Sequence, residues 1–140
     1  MSQIRIVSTV IAGIVGLTIA HNASACCPDI GHGPVASTGL GESAPKAANL
    51  STVADVRIYE FMRDGVTYLQ INDATGGVRG AVGRIDSTAW VMPIGSDADR
   101  VSILRSTGSV QGEKVYEAEK ISVYLQETSN SRAWIIVTKD

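Results

Sequence analysis

The most reactive side chains in the sequence lie close together near its N-terminus. Cys26 and Cys27 are adjacent, and they are the only two cysteines of the chain. Together with His32, and with Asp29 or a free amine, they could bind a thiophilic ion such as Cu(I) or Zn²⁺. The spacing supports a metal centre only weakly, because no second cysteine pair and no other histidine follows to close a tetrahedral site. We therefore predict neither a metal nor a cofactor.

Two other uses of these cysteines stay open. Residues Ala23-Ser24-Ala25-Cys26 match a lipoprotein box except at the first position, where a large aliphatic residue is usual. A lipid on Cys26 would convert an otherwise unattached domain into an anchored one. In an oxidising compartment the thiols would instead form disulfides, and neighbouring cysteines close only a strained ring, so a bond to another chain is an equal alternative.

An export signal is predicted for residues 1–25. A short segment with one cation, Arg5, precedes an apolar stretch over residues 6–20, and Ala23-Ser24-Ala25 then supplies the small residues that a signal peptidase accepts. The apolar stretch is shorter than the roughly 20 residues needed to span a bilayer. We expect cleavage before Cys26, and localisation in the periplasm, at the outer-membrane periphery or in the medium.

Charge and length limit the classes of partner. Loss of residues 1–25 removes Arg5 and leaves 11 basic and 14 acidic residues in 115 positions. The remaining Lys and Arg residues are scattered along the chain, whereas binding to phosphates requires clustered cations. We therefore predict no nucleic-acid partner, one domain, and a membrane contact only through a lipid on Cys26.

A flexible tether is predicted for residues 26–50. This segment is rich in Gly, Pro, Ser and Ala and carries almost no large apolar side chains. Such a composition buries too little surface to offset the entropy lost on ordering. The prediction is a disordered leader before the folded domain.

Residues 51–140 are predicted to form an all-β domain. Runs of β-branched and aromatic residues alternate with turn residues, and no stretch keeps a helical apolar period. Short connections favour antiparallel neighbours, so about six or seven strands in meander order should form a small barrel or a two-sheet sandwich. The predicted strands cover residues 56–63, 66–72, 78–85, 89–94, 100–104, 114–126 (bent or broken) and 132–139. Pro93 places its strand at an edge or a bulge.

The first two strands give a candidate binding face. Asp64-Gly65 favours a type I′ turn, which sets Glu60 opposite Leu69 on an aliphatic side. The other side of this hairpin then carries aromatic and basic residues, either as a second packed face or as an exposed patch. These binding candidates are Tyr59, Phe61, Tyr68, Arg57 and Arg63.

Other motifs are assigned structural roles. The glycines of residues 76–83 lack the spacing of a phosphate loop and are predicted to mark curvature or packing under an aromatic ring. Asp97 and Asp99 are predicted to be solvated turn carboxylates, since the remaining ligands of a calcium loop are absent. Trp90 and Trp134 are predicted in the core. Lys114 and Tyr116, in or beside a long loop, are further binding candidates.

Elimination leads to a functional hypothesis. Residues 51–140 contain neither His nor Cys, which excludes most nucleophile–base pairs within the domain. We expect a non-enzymatic binding protein of the bacterial cell envelope: an inhibitor, immunity or accessory subunit that recognises another envelope or secreted protein. The alternatives are an enzyme acting on envelope polymers through carboxylates such as Glu60, and a metal-handling protein using Cys26, Cys27 and His32.

Overall fold

Two four-stranded sheets packed face to face form the domain. The computed structural model describes residues 35–105 and 108–139. Sheet A has the strand order β1-β2-β3-β4, and sheet B has the order β5-β8-β7-β6. The strands are β1 Val56–Arg63, β2 Val66–Asp73, β3 Val78–Ile85, β4 Thr88–Met92, β5 Val101–Arg105, β6 Glu113–Glu117, β7 Ile121–Thr128 and β8 Ser131–Thr138, with one short 3-10 helix, Ala98–Arg100, before β5.

The all-β prediction is confirmed, and of its two architectures the sandwich is correct, because the sheets do not close into a barrel. Eight strands form within the described residues instead of six or seven, since the predicted strand over residues 114–126 divides into β6 and β7. Meander order holds in sheet A but is wrong in sheet B, where β5 pairs in parallel with β8. The physical reason is that β8 is a continuous apolar run from Trp134 to Val137, buried on both faces. Its backbone edge opposite β7 would lack hydrogen-bond partners in this buried environment, and parallel pairing with β5 supplies them.

The β1–β2 hairpin has the predicted turn and register. Asp64 and Gly65 adopt φ values of 53° and 79°, as a type I′ turn requires. Glu60 lies opposite Leu69 and Phe61 lies opposite Tyr68. The even-numbered side of β1 therefore faces sheet B, and the odd-numbered side forms the outer face of sheet A.

The two tryptophans lie in different environments. Trp134 is fully buried between the sheets, as predicted, among aliphatic residues of both sheets such as Ile58, Leu69 and Val123. The prediction for Trp90 is wrong, because its side chain lies on the outer face of sheet A and is 37% exposed. Its position opposite Gly83 explains the difference: an added Cβ on Gly83 would lie 2.5 Å from the indole ring, so the ring rests on the strand backbone. The predicted packing of a strand glycine under an aromatic ring is confirmed at this position.

Residues 36–50, which we call the strap, cross the outer face of sheet A. The amide of Met62 donates to the carbonyl of Ala36 at 2.8 Å, and Ala36 forms an isolated parallel bridge with Phe61. The buried amides of Gln70 and Asn72 bind the strap backbone between residues 41 and 43. This part of the predicted tether therefore packs on the domain through backbone hydrogen bonds, which amino-acid composition does not reveal. Residues 26–34 lie outside the described residues.

Short segments join the two sheets at both sides. On one side, the amide of Leu50 donates to Ile58 in sheet A, and the amide of Thr52 donates to Val115 in sheet B. On the other side, the link from β4 to β5 follows the edge strand that ends just before Pro93, which confirms the predicted edge position. Gly95 in this link has φ of 100° and lies against the backbone of Arg79.

We predict that Gly95→Ala lowers the free energy of unfolding by about 3 kcal/mol or more, because positive φ strain adds to a backbone clash. The added Cβ would lie 2.4 Å from the carbonyl of Arg79. Gly41→Ala is the matched control, since Gly41 has φ of 92° and open space around the site. Urea unfolding should show a loss of only about 1–2 kcal/mol for the control; equal losses for both variants would contradict the close contact.

Candidate functional site

A buried carboxylate, Asp97, connects the two sheets at the end where β3 begins. Its Oδ2 accepts a hydrogen bond from the indole Nε1 of Trp134 at 3.1 Å, and its Oδ1 accepts one from Arg100. Its own amide donates to the carbonyl of Arg79 at 2.7 Å. Asp97 is only 2% exposed, so the prediction of a solvated turn carboxylate is wrong for this residue. The prediction holds for Asp99, whose side chain is 75% exposed.

Arg79 links a second carboxylate, that of Asp73, to Asp97. The Nη2 of Arg79 lies 2.7 Å from Oδ2 of Asp73, and its Nη1 lies 3.7 Å from Oδ1 of Asp97. Asp73 also accepts hydrogen bonds from the hydroxyl of Thr75 and the amide of Gly77. Arg79 is therefore held in one orientation by two carboxylates, and its neighbourhood is too rich in negative charge to form an anion cradle.

Three arginines and the β7–β8 turn line an open polar groove beside Asp97. The groove has a volume of about 510 Å³. Arg100 spans it, because its Nε donates to the carbonyl of Arg132 at 3.1 Å while its Nη2 binds Asp97. Arg132 is fixed in turn by Glu127 at 2.7 Å. The remaining wall consists of hydroxyl and amide side chains from Thr128, Ser129, Asn130 and Ser131.

The carboxylates of this cluster are stabilised in their charged form. Hydrogen bonding by Thr75, despite some burial, and further by Gly77 and Arg79, lowers the pKa of Asp73 to about 2. Burial by itself would raise the pKa of Asp97, but the hydrogen bonds from Trp134 and Arg100 and the nearby guanidinium charges outweigh it and lower that pKa. Both groups are therefore ionised hydrogen-bond acceptors at neutral pH, with no proton to donate.

The predicted aromatic face is mostly covered. Tyr59 and Phe61 are buried, since the strap lies over the outer face of sheet A. Tyr68 and Arg63 remain accessible at a cleft of about 260 Å³ between the strap and β4. Arg57 is half-buried at the opposite end of β1 from Arg63, so the five predicted residues do not form one surface.

The two predicted loop residues, Lys114 and Tyr116, lie in different environments. Tyr116 is buried between the sheets, and its hydroxyl donates to Oε2 of Glu60 at 3.2 Å. Burial, followed by the charge of Glu60, raises the pKa of Tyr116. Lys114 is exposed, pairs with Glu117 at 2.8 Å and lies 5.8 Å from the ring centre of Tyr124. Glu60 thus has a tyrosine partner in place of a second carboxylate.

The N-terminal candidates Cys26, Cys27 and His32 lie outside the described residues. Within residues 35–105 and 108–139, no group of three or more His, Cys, Asp or Glu side chains is arranged to hold a metal ion. In the same residues, no helix is long and apolar enough to cross a membrane.

Sequence reasoning missed Asp97 and the groove it organises. The available signal was indirect: a tryptophan in the core needs an acceptor for its indole N–H, and an acidic residue can supply one. Trp134 and Asp97 are 37 positions apart, however, and only the non-meander order of sheet B brings them together.

Comparison with known proteins gives no relative from which to transfer a role: no family model, curated protein or solved structure matches the chain significantly. The function must therefore be argued from the geometry of these residues.

We predict that Asp97→Asn lowers the free energy of unfolding at pH 7 by about 2 kcal/mol, since hydrogen bonds to a charged group are replaced by weaker ones. Asp99→Asn is the control, because that exposed side chain should change stability by no more than about 0.5 kcal/mol. Chemical unfolding of both variants measures the difference, and equal effects would contradict a special role for Asp97.

The lowered pKa of Asp97 predicts how the free energy of unfolding depends on pH. The folded-state pKa of Asp97 lies below its ordinary value of 3.8, so its stabilisation is present above that value and is lost as pH falls through the folded-state pKa. Asp73, with a pKa of about 2, adds a loss in the same direction. Unfolding free energies between pH 6 and about pH 2 should therefore fall less steeply for Asp97→Asn than for the native chain. Parallel curves would contradict the lowered pKa.

Proposed function

We propose that this chain is an exported, non-enzymatic binding protein of the cell envelope that recognises another protein through the groove beside Asp97. The observation that carries the proposal is the set of arginines at this groove, each held by carboxylates before any partner arrives. Side chains that are already fixed lose little conformational entropy on binding. Arginine is also enriched in the energetically dominant positions of protein interfaces.

The shape of the groove favours a protein over a small molecule. Small-molecule sites are usually enclosed and mostly apolar, so that they bury most of their ligand. This groove is open, and guanidinium, hydroxyl and amide groups dominate its wall. A protruding polar loop of a partner could exchange hydrogen bonds with Ser129, Asn130 and the arginines.

Catalysis by carboxylates receives less support from the geometry. Enzymes that use two carboxylates generally need one of them protonated near neutral pH, which requires a raised pKa. The pKa values of Asp73, Asp97 and Glu117 are instead lowered by hydrogen bonds and neighbouring cations. Glu60 is half-buried, has Tyr116 as its hydrogen-bond partner and does not line the groove.

The residues at the N-terminus support the envelope location. The apolar stretch of residues 6–20 and the small residues before Cys26 are typical of an export signal. A binding protein delivered in this way would meet envelope or secreted partners, and a lipid on Cys26 would keep it at a membrane.

We predict that Arg132→Ala weakens partner binding at least about tenfold, because truncation of an arginine at an energetically dominant interface position costs more than about 1.4 kcal/mol. Lys114→Ala is a matched control. Each substitution removes a cation from a pair with a glutamate, at 2.7 Å for Arg132 and 2.8 Å for Lys114, and only Arg132 lines the groove. Both losses should leave the free energy of unfolding within about 1 kcal/mol of the native value.

The measurement uses the full chain immobilised after purification from the cell envelope. Envelope and secreted extracts are passed over the native chain, Arg132→Ala and Lys114→Ala, and retained proteins are identified and titrated. A stoichiometric protein retained by the native chain and Lys114→Ala, and lost from Arg132→Ala, is the expected result. Identical retention by all three, or no retained protein, would overturn the proposal.

A further inference from the structure

A cleft opens on the outer face of sheet A between the strap and β4, with a volume of about 260 Å³. On β3, Ala81 carries only a methyl group and Gly83 carries no side chain. Gly83 lies between Tyr68 of β2 and Trp90 of β4. Ala81 lies beside Met92 of β4. The middle strand therefore does not fill the space between Tyr68 and Met92, which both line the cleft.

The strap forms one wall of this cleft. The amide of Glu42 donates to the carbonyl of Gly39 at 3.0 Å, and Gly39 has φ of 107°, so the strap turns at this point. Gly39 lies on the ring of Phe61, because an added Cβ would be 3.2 Å from Cε1 of that ring. The turn brings Leu40 to the cleft. The buried ring of Phe61, with Leu40 and Met92, gives the cleft an apolar interior.

The polar groups at the cleft suit an anion. Among the described residues that line it, Arg63 is the one charged residue and none is acidic. The Nε of Arg63 lies 3.4 Å from Oδ2 of Asp64, but both side chains are exposed, at 73% and 87%, and exposed pairs of this kind are weak. The hydroxyls of Thr38 and Tyr68 line the same cleft and form no hydrogen bond within the described part of the chain. A guanidinium and two hydroxyls can all donate to a carboxylate.

The contact next to the cleft indicates which kind of molecule fits it. The side-chain amide of Gln70 accepts from the backbone amide of Gly41 at 2.6 Å and donates to the carbonyl of Glu42 at 2.8 Å. The outer face of sheet A therefore already binds a polypeptide backbone beside the cleft. The cleft is smaller than the roughly 300–1,000 Å³ typical of sites for drug-sized molecules, so it has room for about one residue. The last residue of a polypeptide combines an apolar side chain with a carboxylate.

We propose that this cleft binds the C-terminal residue of a polypeptide, with its apolar side chain against Phe61 and Leu40 and its carboxylate on Arg63. The chemistry that the cleft recognises is an apolar group that bears a carboxylate, which a free organic acid also offers, so the test compares the two sources. The cleft shares no residue with the groove beside Asp97. Either proposal can therefore fail without the other.

Isothermal titration calorimetry of the full chain recovered from the envelope measures this binding. The reference probe is an acetylated tetrapeptide of three alanines and a C-terminal leucine with a free carboxylate. Amidation of its C-terminus should weaken binding at least about tenfold, because the charge-assisted hydrogen bonds to Arg63 are lost. A C-terminal serine in place of leucine should also weaken binding at least about tenfold, through loss of apolar burial. Phenylacetate and octanoate lack a peptide group and should bind at least about threefold more weakly; equal or tighter binding would assign the cleft to free acids instead.

Three variants test the part played by Arg63. Arg63→Gln should weaken binding of the leucine peptide at least about tenfold. Asp64→Asn should strengthen it about twofold, because it releases Arg63 from its pair and keeps a dipeptide that suits the type I′ turn. Arg57→Gln is the matched control and should leave binding unchanged, since it removes the same charge from the same strand at a residue that does not line the cleft. No heat of binding at up to about 1 mM peptide, or equal losses from Arg63→Gln and Arg57→Gln, would overturn the proposal.

Discussion

The carboxylate of Asp97 is the constraint on which much of this structure depends. An ionised carboxylate that is almost fully buried is costly unless its oxygens are paired and hydrogen-bonded. Asp97 meets this requirement with Trp134 from sheet B on one oxygen and Arg100 on the other, while its backbone amide binds Arg79 in sheet A. One side chain therefore fixes the position of the link between the sheets, the indole of the core and two guanidinium groups.

The groove follows from this arrangement. Arg100 binds Asp97 and also lies across the beginning of β8, where it donates to the carbonyl of Arg132. Arg79 is restrained in the same way by Asp73 and Asp97. The resulting surface is polar and concave, and its arginines are paired with carboxylates, which limits the entropy lost when a partner binds.

Local sequence patterns predicted the parts of the fold that depend on neighbouring residues. Asp64-Gly65 determines a turn and hence the pairing of β1 with β2, and residues 78–85 form the predicted strand exactly as bounded. The strap and the order of sheet B were not predictable in this way. The side-chain amides of Gln70 and Asn72 hold the strap by hydrogen bonds to its backbone, and each residue of β5 pairs with a residue of β8 that lies 33 positions later in the chain. Neither contact leaves a periodic signal in the sequence.

In the candidate site, too, local sequence patterns do not predict the contacts that the tertiary structure makes. Tyr68 and Arg63 are accessible, but Tyr59, Phe61 and Tyr116 are buried because the strap and the second sheet cover them. The sequence indicates a solvated turn for Asp97, because Asp97 and Asp99 lack the remaining ligands of a calcium loop. Its burial depends on Trp134, a residue whose proximity only the tertiary structure provides.

A double-mutant cycle between Asp97 and Trp134 tests the central claim, that this hydrogen bond joins the link from sheet A to the core of sheet B. The cycle compares unfolding free energies of the native chain, Asp97→Asn, Trp134→Phe and the double variant, so that the cavity left by the smaller ring cancels. The structure predicts a coupling energy of about 1 kcal/mol or more between the two positions. Additive losses, with a coupling below about 0.3 kcal/mol, would contradict it.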